Sequence, residues 1–147
     1  MYSKKEALFI KKDFWIAFAS VYPRKWLLYD TKIKDVTFKF YVDNKKAQVL
    51  FDIEPKDEAL RNIYFEKIES LKTILQEEYL SEAIFERTFY LENGKIISRI
   101  WIEKLEVSLN NKNTWGEIFK FFNETMSQFE LFFLEYEDYI KDLNTNT

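Results

Sequence analysis

The amino-acid sequence predicts a single α+β domain over residues 1–147: two β-hairpins in a four-stranded antiparallel or mixed sheet with three helices, in the order αββαββα. Apolar and polar residues alternate on both sides of residues 43–46 and again on both sides of Asn93-Gly94, which indicates the hairpins. Between them, residues 55–80 place apolar side chains at steps of three and four, which indicates a helix. Only two Gly and two Pro leave no room for a long flexible linker.

The composition excludes several kinds of chemistry. The chain has no Cys and no His, so it lacks disulfides, Cys/His zinc sites and imidazole bases. Fifteen Phe predict a core built largely from aromatic rings. Lysines interrupt the amino-terminal apolar run, and no window is long enough to span a membrane. We therefore expect a cytoplasmic protein without a bound cofactor.

The first helix is predicted to begin at Ser3, because Ser3 and Glu6 form a capping box, and to end before Pro23. Its buried face is expected to carry the following residues: Leu8, Lys11, Phe14, Trp15, Phe18, Val21 and Tyr22. Residues 26–29 fit either a fifth strand or an irregular segment.

The two hairpins are expected over residues 36–53 and 84–107. Pro55 ends the first one and suits the first turn of the long helix. In the second, Asn93-Gly94 predicts a two-residue type I′ turn. Such a turn pairs Leu91 with Ile96 and Phe85 with Ile102, and the face with Phe85 is expected to be core.

The last helix is predicted to start at a second capping box, Thr114 and Glu117. Its aromatic residues recur with heptad spacing, which fits either packing on the chain's own sheet or a seam with a second copy. We expect a homodimer because so broad a stripe exceeds what one small sheet covers. The residues expected at its seam are Phe122, Phe129, Phe133 and Tyr136.

Two sets of residues are candidates for a site. Asp43, Glu54 and Lys56 fit, at low specificity, the pattern of PD-(D/E)xK nucleases, in which two carboxylates hold a divalent metal and the lysine supports the attacking water. Glu86, Arg99 and Trp101 share the less apolar face of the second hairpin and suggest a binding surface. An exposed cross-strand pair would also explain the second set.

A third candidate is a basic amino-terminal segment. Although the net charge is -3, residues 1–46 hold eleven basic and five acidic residues. Its cations are Lys4, Lys5, Lys11, Lys12, Arg24, Lys25, Lys32 and Lys34, among Trp15, Trp26 and Tyr29. This basic segment either contacts nucleic acid or is an ordinary solvated surface, and the sequence leaves both interpretations open.

Several short motifs are shared with one family. They are Phe14-Trp15, residues 65–69, residues 85–87, residues 98–100, residues 115–118, Met126 and Phe129-Glu130. With these motifs the chain resembles a bacterial domain of unknown function that occurs alone or at the carboxy terminus of larger proteins, some with nuclease-like regions. The resemblance implies an accessory role in systems that handle DNA and supplies no catalytic residues. The sequence thus favours a non-catalytic interaction module over the alternative, a metal-dependent nuclease. It does not identify the ligand of such a module, for which a protein partner and, with weaker support, nucleic acid are the candidates.

Overall fold

The computed structural model describes residues 3–26 and 30–143. Within these residues the chain forms four strands, four α-helices and one 3₁₀ helix. Their order is α1 (Lys4–Val21), β1 (Val36–Val42), β2 (Lys46–Ile53), α2 (Glu58–Glu69), α3 (Lys72–Glu78), β3 (Ile84–Tyr90), β4 (Ile96–Leu105), the 3₁₀ helix (Lys112–Thr114) and α4 (Trp115–Lys141). The α+β class and both hairpins are confirmed, with one helix more than expected. The question of a fifth strand falls mostly on residues 27–29, which lie outside the described residues.

The sheet joins the two hairpins through their second strands. Its strand order is β1-β2-β4-β3, and every neighbouring pair is antiparallel. Because side chains alternate along each strand, one face presents Phe38, Phe51 and Ile100 to the helices. All four α-helices contribute to the core on this face, through Phe14, Phe65, Leu75 and Phe129 respectively.

Helix α1 begins as predicted, because the Ser3 hydroxyl accepts a hydrogen bond from the Glu6 N–H at 3.1 Å. Its expected buried face is only partly correct. Phe14 and Phe18 are buried against α4, whereas Leu8 and Val21 are exposed. The apolar residues of α1 therefore lie on two sides of the helix rather than on one.

The helix expected over residues 55–80 is two helices. The residue that caps the start of α2 is Asp57 rather than Pro55. The Asp57 carboxylate accepts a hydrogen bond from the Ala59 N–H at 3.0 Å. Near the end of α2 the Ser70 hydroxyl donates to the Lys67 carbonyl at 2.5 Å, and the Leu71 N–H bonds three residues back to Ile68. Serine competes in this way with regular helical bonding, which accounts for the break before α3.

The turn between β3 and β4 differs from the prediction. The Leu91 N–H bonds to the Lys95 carbonyl, so the loop has three residues, and Gly94 has the positive φ of 86° that such loops place at their last position. A bulge between Glu86 and Phe89 shifts the register further. Phe85 consequently lies opposite Ile100 instead of Ile102, although both stay on the expected core face.

The start of α4 also differs from the prediction. The Thr114 hydroxyl makes no capping bond to α4 and instead donates to the Ser108 and Asn111 carbonyls. Along the helix, Phe122, Phe129 and Phe133 are buried and Tyr136 is half-buried within the single chain. The chain's own core thus already buries three of the four rings expected at a dimer seam. Dimerisation itself stays a prediction.

Candidate functional site

The face of the sheet turned away from the helices carries three rows of side chains across β1, β2 and β4. The rows are Thr37, Asp52 and Arg99; Lys39, Leu50 and Trp101; and Tyr41, Gln48 and Glu103. Leu50 and Ile97 are buried on this face, outside the main core cluster. We call these three rows, together with Phe89 of β3, the open face.

The open face contains a groove beside the bulge in β3. The bulge carries Phe89 over β4, where its ring meets Trp101 edge-on with centroids 5.7 Å apart. The Arg99 guanidinium lies 4.4 Å from the centre of the Phe89 ring. Phe89, Trp101 and Arg99 line this groove together with Leu50 and the tip of the β3–β4 hairpin. The volume of the groove is about 430 Å³. Such a volume accommodates one or two amino-acid side chains or a small ligand.

A buried ion pair forms the floor beside this groove. Arg99 donates to both carboxylate oxygens of Asp52, at 2.6 and 2.9 Å. The Asp52 side chain is only 1% exposed and that of Arg99 12%. Lys39 approaches Asp52 at 3.3 Å and Glu54 at 3.2 Å. Charges that are desolvated to this extent need such partners, so the network holds the guanidinium in one orientation.

The rim of the groove is polar and also internally paired. Gln48 donates to Glu103 at 2.7 Å, and Lys46 lies 4.0 Å from the same carboxylate. The Tyr41 hydroxyl donates to Asp43 at 2.9 Å. Burial raises the pKa of Tyr41, and the hydrogen bond to Asp43 and its charge raise it further. The rim is therefore polar, with the Lys46 cation against the carboxylates of Glu92 and Glu103.

A family match adds to this geometry. Residues 10–137 fit the model of a family described as a domain of unknown function, DUF4268. The chain belongs to DUF4268. The matched segment contains the whole sheet and therefore the whole open face of this DUF4268 domain. No curated protein and no solved structure matches the chain.

The nuclease alternative lacks the geometry it needs in this DUF4268 domain. Asp43 caps the β1–β2 turn, where its carboxylate accepts from the Lys45 and Lys46 N–H groups at 2.8 and 2.9 Å. Glu54 follows the far end of β2, eight residues past Lys46 and therefore roughly 27 Å from the turn at about 3.4 Å per strand residue. Lys56 is exposed beyond it. Among the described residues there is no group of three or more acidic side chains that could hold a metal ion.

The expected binding residues are brought together only in part. Arg99 and Trp101 both line the groove. Glu86 lies directly opposite Arg99 in the strand register, but the guanidinium binds Asp52 of β2 instead. In the part of the chain that the structure describes, Glu86 forms no ion pair. The prediction missed Asp52 and Leu50, because only the pairing of β2 with β4 places them beside Arg99 and Trp101. It also missed Phe89, because the bulge in β3 moves that residue to the same face.

The basic segment is partly neutralised within the DUF4268 domain. Arg24 stacks on Trp26 at 3.9 Å and pairs with Glu130, and Lys32 pairs with Asp30 at 3.3 Å. The lysines of α1 are exposed.

Among the described residues, none of the helices combines the length and apolar character that crossing a lipid bilayer requires.

Glu54 makes the stability of the DUF4268 domain depend on pH. Burial alone would raise its pKa, but hydrogen bonds from Lys39 and Thr37 and the charges of Lys39 and Lys95 hold the pKa below its ordinary value of 4.5. A lowered carboxyl pKa stabilises the fold above the unfolded-state pKa, and the contribution disappears as the pH falls through the folded-state pKa.

We therefore expect Glu54→Gln to be less stable than the wild type at neutral pH, with a difference that shrinks as the pH falls below 4.5. Urea unfolding over a pH series measures the difference in the free energy of unfolding between the variant and the wild type. Glu77→Gln is the matched control, since Glu77 is exposed and forms no ion pair with a described residue. A deficit that persists unchanged at low pH would contradict the assignment.

Proposed function

We propose that this domain is a non-catalytic interaction module and that a protein partner binds its open face. The observation that carries the proposal is the groove itself, in which the rings of Phe89 and Trp101 and the side chain of Leu50 surround a space of about 430 Å³. Aromatic and arginine residues in such concave positions provide most of the binding energy in protein interfaces. An apolar or aromatic side chain of the partner would occupy this space.

The charges beside the groove support a protein ligand over a nucleic acid. Arg99 is neutralised by Asp52, and Lys46 lies near Glu103. Binding to a phosphate backbone depends on cations that can displace its counterions. Cations that already face carboxylates serve that purpose poorly, whereas a polar rim around an apolar centre is typical of peptide recognition. The link to DNA-handling systems that the family resemblance implies stays a prediction about the partner.

A rigid scaffold also supports this role. The central groove residues Leu50, Phe89 and Trp101 stand on β2, β3 and β4. The Asp52 carboxylate holds the neighbouring Arg99 side chain in place. A surface that is ordered before binding loses less conformational entropy when a ligand arrives. The ion pairs therefore contribute to recognition indirectly, by holding the aromatic rings and the guanidinium in place.

Selection of peptides from a phage-displayed random library tests the proposal. We expect selected peptides to carry an aromatic or large aliphatic anchor, and their affinity to fall by roughly tenfold or more for Trp101→Ala. Trp101→Phe should retain most of the affinity. Val21→Ser, which alters an exposed residue at the end of α1, should bind like the wild type.

Isothermal titration calorimetry at two salt concentrations completes the test. A protein-like interaction should change little between about 50 and 200 mM salt, whereas a phosphate-dominated one falls by orders of magnitude. The proposal fails if no peptide is selected, or if the selected peptides bind the folded Trp101→Ala variant as tightly as the wild type.

A further inference from the structure

The outward side of α1 carries exposed apolar residues among lysines. Lys5, Phe9, Lys12 and Ile16 follow one another at steps of four, three and four, so they share one face of the helix. Phe9 is 55% exposed and Ile16 58%, and Leu8 beside them is also exposed. This face points away from the core residues Phe14 and Phe18. We call Lys5, Phe9, Lys12 and Ile16 the α1 stripe.

The outward side of α4 carries apolar residues of the same kind among acids. Leu131 is 56% exposed and Leu134 46%, and the neighbouring Glu135 and Asp138 are exposed as well. Their spacing again places these residues on one side of the helix, opposite the buried Phe129 and Phe133. We call Leu131, Leu134, Glu135 and Asp138 the α4 stripe.

The two stripes are complementary in charge. Helix α1 contains four Lys and two acidic residues, whereas α4 contains six acidic residues and two Lys. The charged members of both stripes form no ion pair with any described residue. Each stripe thus combines exposed apolar area with unneutralised charge, and each has the charge sign that the other lacks.

We propose that the partner of both stripes is a second copy of this chain, with α1 of one protomer packed on α4 of the other. A two-fold axis makes this contact twice, because each protomer contributes both stripes. The two helices already lie side by side within one chain, with the Phe14 and Phe119 rings 5.1 Å apart. The pairing replaces the buried aromatic seam that the sequence suggested.

This arrangement leaves the open face accessible. The stripes lie on the helical side of the sheet, whereas the groove around Trp101 lies on the other side. A dimer would therefore present two grooves, and a partner with two binding segments would gain avidity from engaging both. The two stripes share no residue with the groove. The proposed dimer can therefore fail without the proposed binding site, and the binding site without the dimer.

Light scattering behind a sizing column tests the pairing by charge exchange. The wild type should have twice the mass of the 18.0 kDa chain. Lys5→Glu with Lys12→Glu, and separately Glu135→Lys with Asp138→Lys, should each yield monomers, because each places like charges across both contacts. An equimolar mixture of the two variants should form dimers again, since opposite charges then meet at both contacts. Lys45→Glu, at an exposed position in the β1–β2 turn, should remain dimeric.

Three results would overturn the pairing. One is a wild type that stays monomeric across the accessible concentration range. Another is a dimer that withstands either double reversal, and the third is a mixture that stays monomeric. Should a charge-reversed variant fail to fold, Phe9→Ser and Leu134→Ser provide milder changes at exposed positions, and each must weaken the dimer for the pairing to hold.

Discussion

Replacing Arg99 by methionine is expected to lower the free energy of unfolding by about 3 to 5 kcal/mol, the range measured when one partner of a buried ion pair is removed. Asp52 would remain buried at 1% exposure and would lose two hydrogen bonds. The Lys39 ammonium, at 3.3 Å, is exposed and compensates only in part. Methionine keeps most of the aliphatic volume of arginine, so the decrease in the free energy of unfolding reflects the Asp52 carboxylate that is left without its partner. Urea unfolding measures it.

Two companion variants separate this effect from general damage. Lys39→Met removes a solvent-exposed partner of the same carboxylate and should cost about 1 kcal/mol or less. The double variant Asp52→Leu with Arg99→Met should recover most of the stability, because apolar replacement of both partners is often neutral or stabilising. A single Arg99→Met variant as stable as the wild type would show that Asp52 is solvated and that the floor of the groove is not rigid.

Replacing Phe129 by alanine is expected to cost about 3 to 5 kcal/mol, since the change removes a fully buried ring and leaves a cavity. Phe129 has no exposed surface, and its ring lies 5.3 Å from that of Phe38 and 6.1 Å from that of Phe51. These contacts join α4 to the middle of the sheet. Their loss would therefore affect the whole domain, and thermal unfolding should shift downward as one transition.

Leu105→Ala provides the control for Phe129→Ala. Leu105 is a large apolar residue that is exposed at the end of β4, so its truncation should change the stability by about 0.5 kcal/mol or less. Comparable losses for the two variants would contradict the internal position of the α4 rings.

Local patterns in the sequence predicted most of the elements correctly. Strict alternation identified β1 and β2 to within one residue, and Ser3 marked the start of α1. These signals depend on neighbouring residues alone, which is why they are readable without the fold. The failures also have local causes. At Ser70 a side chain competed with the helix, and at Gly94 a three-residue loop replaced the expected two-residue turn.

The candidate site was predictable only as far as one hairpin extends. Arg99 and Trp101 were identified because they share a face of β4. Glu86 of the same hairpin was expected to share their binding surface, but the residue that binds Arg99 is Asp52 of β2. The alternation of apolar and polar residues within a hairpin does not indicate which strand of one hairpin pairs with which strand of the other. The long-range pairing of β2 with β4 is therefore the information that the sequence pattern lacked.

The most direct test of a binding site on the open face is to map a selected peptide onto the ¹⁵N-labelled domain by nuclear magnetic resonance. We expect the largest shifts at the Trp101 indole, the Gln48 side-chain amide and the backbone of Phe89 and Tyr90, all of which line the groove. Shifts that instead cluster on α1 and α4 would contradict a binding site on the open face, because they would place the binding surface on the helical side of the sheet.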